Sequence, residues 1–141
     1  MKAKKSLQGV AVATVLILVV CVTAVGILVV QRPRELDTEL VVKSPFGSEV
    51  AAGSTNWRMM IFGGDDYFYR LSAHDESGNE LFSKDVPISR DIWQKEVYGG
   101  LDSRSVEDVT FLKHGKIIWS KDNNEVTFVI HDKEILRQEV R

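Results

Sequence analysis

Cysteine is almost missing from this chain, and the one present, Cys21, lies inside an apolar run. The region after that run therefore has no disulfide to form and no thiol nucleophile to offer, and it would fold unchanged in an oxidising compartment. Asn-x-Ser/Thr sequons are also missing, so no glycan is implied. No Gly-x-Ser-x-Gly elbow, P-loop or dinucleotide-binding glycine pattern occurs. Basic residues form no stripe: three of the 18 precede the apolar run, leaving 15 against all 20 acidic residues, about −5 for the rest of the chain. That balance excludes nucleic acid as an expected partner. An ectodomain without cysteine or sequon fits a bacterial periplasm better than a eukaryotic surface.

What is present begins at the N-terminus. Residues 7–30 form a 24-residue stretch without a charged side chain, containing fifteen Val, Leu and Ile residues. As a helix it would be roughly 36 Å long, enough for a hydrocarbon core of about 30 Å. Lys2, Lys4 and Lys5 precede it, and Arg32 and Arg34 follow it, together with Glu35, Asp37 and Glu39. The positive excess on the N-terminal side predicts a cytoplasmic tip over 1–6, a signal-anchor span over 7–30, a stalk over 31–37 and an extracytoplasmic domain over 38–141. The expected location is the inner membrane of a bacterium. Two processing routes compete with a retained anchor. Val22-Thr23-Ala24 places small residues where signal peptidase cuts, but the run continues through Val30, beyond a cleaved apolar region of about 7–15 residues. Leu18-Val19-Val20-Cys21 looks like a lipobox, with Val20 where Gly, Ala or Ser normally stands. Gly9 and Ala13 have the small-xxx-small spacing that lets two spans approach, so an oligomer through the span is an alternative to a lone lipid-facing helix.

Beyond the stalk the pattern is β. Residues 38–43, 56–62, 66–74, 79–86, 106–113, 116–120, 125–131 and 134–140 read as strands, with Gly63-Gly64, residues 75–78, His114-Gly115, residues 122–124 and Asp132-Lys133 as turns. Ala51-Ala52-Gly53-Ser54-Thr55 reads as a small-residue loop. Over 87–102 the spacing of Ile88, Ile92 and either Trp93 or Val97 predicts a short helix or ordered loop, with Ser89 as a cap and Gly99-Gly100 as its end. The expected fold is mainly β, a small antiparallel meander or sandwich of seven or eight short strands with one short helix, preceded by a single transmembrane helix.

The stretch Ile118-Trp119-Ser120-Lys121-Asp122-Asn123-Asn124-Glu125-Val126-Thr127-Phe128 resembles the strand-turn-strand core of a TolB-type β-propeller blade, and residues 66–82 are similar to a blade's outer hairpin. Lys121-Asp122-Asn123 stands where blades usually have Pro-Asp-Gly. A propeller needs at least about four blades, and this domain has room for two at most. The resemblance implies a related hairpin style, no propeller and no activity.

Chemistry-bearing residues are few. His74-Asp75 and His131-Asp132 each place a histidine beside a carboxylate, but neighbours in a strand point to opposite faces, so turn polarity accounts for both. Convergence of His74, His114 and His131 would make a metal site. Gly63-Gly64-Asp65-Asp66 reads as a hairpin turn and residues 75–80 as an acidic exposed turn without EF-hand spacing. Trp57 and Trp119 are expected in the core. Trp93, surrounded by Asp91, Gln94, Lys95 and Glu96, reads as a core plug or an exposed anchor. With Tyr98, Gly99 and Gly100 it marks the expected partner-binding segment, over residues 88–101.

The function these features imply is a non-enzymatic, membrane-anchored protein whose β-domain binds another protein, as an accessory subunit of an envelope complex or an immunity or inhibitor protein. No catalytic, cofactor or metal residue is expected. The alternative is a small envelope metal-binding protein or hydrolase built on His74, His114 and His131.

Overall fold

The computed structural model describes residues 2–140, with side chains from residue 9 onward. The chain forms two compact units: residues 1–32 with 58–65, and residues 33–57 with 66–141.

The first unit contains helix α1 (Lys2–Val30). Its segment Gly9–Val30, 22 residues, is long and apolar enough to cross a membrane. Two of its few polar groups are satisfied internally: the Thr14 hydroxyl donates to the Val10 carbonyl at 2.9 Å and that of Thr23 to Val19 at 2.7 Å, a back-bond that needs no water. The unit also holds a hairpin tip, residues 58–65. Gly63 and Gly64 turn it at φ of +101° and +84°, values that favour glycine. The amide of Met60 donates across the tip to the Gly64 carbonyl at 3.3 Å.

The second unit is mainly β, and the strand pairs whose register is described are antiparallel. A five-stranded sheet contains β1 (Arg34–Glu35), β2 (Leu40–Lys43), β3 (Val50–Met59), β4 (Asp65–His74) and β5 (Glu80–Pro87), in the order β1-β3-β4-β5 with β2 also on β3. Beyond it come the one-turn helix α2 (Arg90–Trp93) and the two-stranded hairpin of β6 (Gln94–Val97) and β7 (Gly100–Ser103). A 3-10 turn (Val106–Val109) and the one-turn helix α3 (Phe111–His114) lead into a second sheet, with β8 (Gly115–Trp119), β9 (Glu125–Ile130) and β10 (Lys133–Glu139) in the order β10-β9-β8. The strand count is about ten because β1, β6 and β7 are short additions to the expected meander.

The core lies between the two larger sheets. Alternation along β4 directs Tyr69, Leu71 and Ala73 into it, and β8 and β9 contribute Ile117, Trp119, Val126, Phe128 and Ile130. Ile92 in α2 and Ile88 just before it also enter the core; the helix is a single turn that does not reach Ile88. Phe111 is the hub. Its ring stands edge-on to Tyr69 at 5.7 Å and tilted to Phe128 at 6.3 Å. A Cβ at Gly53 or at Gly115 would collide with Phe111, so both positions must stay bare.

Polar groups stitch the edges. The Asp37 carboxylate accepts from the Thr55 amide at 2.6 Å, the Thr55 hydroxyl at 3.0 Å and the Leu112 amide at 3.0 Å. It thereby fills the gap between β1 and β2 along β3 and ties both to α3. Asn123 donates to the Glu49 carboxylate at 2.7 Å and accepts from the Ser44 hydroxyl in a buried triad.

Four local expectations change. Trp57 is half-buried and outside the core cluster, not within it. Residues 51–55 are the buried middle of β3, not a loop, because small side chains are what fit beneath Phe111. Residues 106–113 form a 3-10 turn and a helical turn instead of a strand. Ser105 and Asp108 complete a capping box there, whose reciprocal bonds satisfy amides that a strand would have paired laterally. Strand β3 ends at Met59, leaving Met60, Ile61 and Phe62 in the tip.

Candidate functional site

The segment over 88–101 is a helical turn followed by a hairpin, where its sequence predicts a short helix or an ordered loop. Ser89 stands at the N-cap of α2 without a side-chain bond to the helix backbone. Its carbonyl accepts from the amides of Ile92 at 3.0 Å and Trp93 at 3.2 Å. Gln94 pairs with Ser103 and Val97 with Gly100, so Tyr98-Gly99 is a two-residue turn, with Gly99 at φ +86°.

The base of the hairpin is fastened. Arg104 donates from its backbone to the Trp93 carbonyl at 2.7 Å and from its guanidinium to the Ile92 carbonyl at 3.1 Å. The Trp93 ring is half-buried and meets Tyr67 edge-on at 5.7 Å, a contact that adds to the area it buries. At the tip the Tyr98 side chain is fully exposed, flanked by Val97 and Leu101 at 47% and 64% exposure. The predicted quartet thus divides. Trp93 closes the core, Gly99 shapes the turn, Gly100 begins β7, and Tyr98 projects.

A cleft of about 460 Å³ opens beside the hairpin, lined in part by Lys95, Leu101, Arg104, His131 and Lys133. Lys133 reaches Asp91 across it at 3.4 Å. The Asp91 carboxyl is held below the usual carboxylate range, first by a hydrogen bond to its own backbone and then by Ser89 and Lys133. The rim of the cleft therefore carries both signs of charge.

Of the three histidines, two come together. The rings of His114 and His131 stack at 4.7 Å with 27° between planes. His131 Nε2 lies 2.6 Å from the Asp108 carbonyl; a carbonyl only accepts, so that nitrogen carries the proton. Burial, and then His131, pushes His114 below the ordinary histidine value. His131 and Asp132 occupy a two-residue turn between the paired Ile130 and Lys133, at φ of +48° and +63°. His74 instead pairs with Glu80 across β4 and β5. Among the described residues, no three of His, Cys, Asp or Glu are arranged to hold a metal ion. The three-histidine constellation is thus not assembled.

The β8-β9 hairpin, which carries the blade-like sequence, pairs Trp119 with Val126. Trp119 is buried and its Nε1 donates to the Val42 carbonyl at 3.3 Å. Asp122 accepts from Ser120 and Asn124 within the turn, so its carboxylate stabilises the turn itself.

Sequence reasoning missed Arg104, which fixes the hairpin base, and the exposure of residues 59–62. The second had a signal: from Met59 the apolar residues no longer alternate. Compared with known proteins, the chain matches no known family, no curated sequence and no solved structure.

Proposed function

We propose that this is a single-span membrane protein whose extracytoplasmic β-domain captures a protein partner through the β6-β7 hairpin. The observation that carries the reading is Tyr98, fully exposed on a turn whose base is pinned by Arg104 and plugged by Trp93. A rigid, amphipathic ring held out on a fixed support loses little entropy when it docks, which is why tyrosine is favoured at binding hot spots. The hairpin adds a second mode of recognition. Its strands pair with one another in a two-stranded sheet of their own, so an outer ladder edge is presented for an added partner strand.

The membrane part of the reading rests on α1. Its described side chains from residue 9 to Val30 are exposed, apart from Gln31 beyond its end. A helix whose fourteen described Val, Leu and Ile side chains are all exposed is suited to lipid. The lysines before it and the acidic balance after it favour a cytoplasmic N-terminus, an envelope location and a partner with basic character.

Capture from solubilised membranes with the intact protein as bait tests the reading. Wild type should retain a discrete protein that Tyr98→Ala loses, with the fold of both preparations unchanged by circular dichroism. Equal retention by the two proteins, or no retained protein from either, overturns it. A C-terminal alkaline phosphatase fusion should be active; an inactive fusion with an active cytoplasmic reporter reverses the orientation.

A further inference from the structure

We infer that the β3-β4 hairpin tip is a second membrane contact, seated in the headgroup and acyl-chain boundary of the lipid bilayer beside the end of α1. The inference rests on the reading of α1 as a span. Three independent observations lead to it.

The first is exposure. Met59, Met60, Ile61 and Phe62 are consecutive and exposed at 47, 38, 44 and 89%. Runs of three or four exposed apolar residues are costly in water and are kept where they bind something. The second is register. Arg34 pairs antiparallel with Trp57, and Arg34 lies four residues beyond Val30, where α1 ends. The two strands run in opposite directions, so the chain beyond Trp57 runs back toward the helix end. The tip and α1 also belong to one compact unit.

The third is chemistry at the rim. Trp57 stands just before the tip, and the Arg34 guanidinium lies 5.4 Å from its ring centroid. Tryptophan and arginine are the side chains that sit at the level of lipid headgroups, with ring and stem toward the chains and polar end toward water. Arg32, Arg34 and Arg58 are matched in number by Glu35, Asp65 and Asp66, so the rim has no net charge. Attraction must come from the apolar side chains. Such a contact needs no anionic lipid and survives salt, unlike a polybasic surface.

The test uses the full chain in phosphatidylcholine nanodiscs. Cys21 is labelled with an environment-sensitive nitrobenzoxadiazole dye in the natural sequence. Phe62→Cys, Met60→Cys and Ser77→Cys are labelled in a Cys21→Ser background. Dyes at 62 and 60 should emit to the blue of the dye at 77, lose iodide quenching and be quenched by lipids brominated near the headgroup, at low and high salt alike. Iodide-accessible dyes at 62 and 60, with the dye at 21 quenched by deeply brominated lipid, overturn the tip contact and leave the span intact. A dye at 21 that iodide reaches and brominated lipid does not overturns the span, and the tip inference with it. Burial of positions 62 and 60 without any lipid quenching marks a protein contact there, a second copy included, and also overturns the inference.

Discussion

Phe111 lies over Gly53, fifty-eight positions earlier in the chain, so closely that no side chain larger than hydrogen fits between the β3 backbone and the ring. Gly53→Ala should therefore force the ring to move within a packed core, a change that costs about 1–3 kcal/mol. Chemical denaturation measures it. A loss near zero would mean that the ring relaxes freely and that Phe111 is not the hub of the core.

Trp119 is buried at 8% exposure and its indole donates to Val42 on the facing sheet. Trp119→Ala should cost about 3–5 kcal/mol, as expected for a large core aromatic. A loss below about 1 kcal/mol would place the ring at the surface.

Asp37 is a stalk residue by sequence and a structural bracket by position. Removing its carboxylate leaves the Thr55 amide, buried in β3, and the Leu112 amide without acceptors. Asp37→Ala should cost about 1–3 kcal/mol, the range for a buried donor left unpaired, here the Thr55 amide; the Leu112 amide is exposed and turns to water. Asp37→Asn, which keeps one acceptor oxygen, should cost less. Equal losses would show that charge and not hydrogen bonding holds the bracket.

Acid should weaken the fold in two separate windows. His114 has a folded pKa below its ordinary value, chiefly through burial. The unfolded chain takes up that proton near pH 6.5, the folded chain only at lower pH, so the unfolded state binds more protons between the two values. Stability is complete above that window and falls as pH drops through it. Asp91, Asp108 and Asp122 are held low by hydrogen bonds; their contribution persists down to about pH 3.9 and is lost below it. Thermal midpoints from pH 7.5 to 5 should therefore decline in wild type and stay flatter in His114→Gln. Parallel curves for the two proteins would remove the role of His114.

Much of the fold is legible in local pattern. Tyr69, Leu71 and Ala73 alternate with more polar neighbours, and β4 follows. The turn before Asn79 and the strands 116–120, 125–131 and 134–140 stand within a residue or two of where turn chemistry and alternation put them. What was illegible depends on distant partners. Residues 51–55 look like a loop until Phe111 is seen above them. Val106, Val109 and Phe111 look like a strand because apolar spacing over so few residues suits either period; the Ser105-Asp108 capping box was the deciding local signal. At the candidate site, the sequence left Trp93 open between core plug and exposed anchor; its half-burial and its contact with Tyr67 make it a plug, while Tyr98 is exposed.

That separation gives a paired expectation. Tyr98→Ala should leave stability within about 0.5 kcal/mol, as for an exposed side chain. Trp93→Ala removes a half-buried ring and its edge contact with Tyr67, and should cost about 1–3 kcal/mol. A larger loss at Tyr98 than at Trp93 would invert their roles.

The proposed binding role of the hairpin is tested most directly by a photo-crosslinking side chain placed at position 98 of the intact protein in its own membranes, with position 77 as the control. Illumination should yield a discrete protein adduct from position 98 and none from position 77. No adduct from position 98, or the same adducts from both, would contradict the assignment of partner binding to Tyr98.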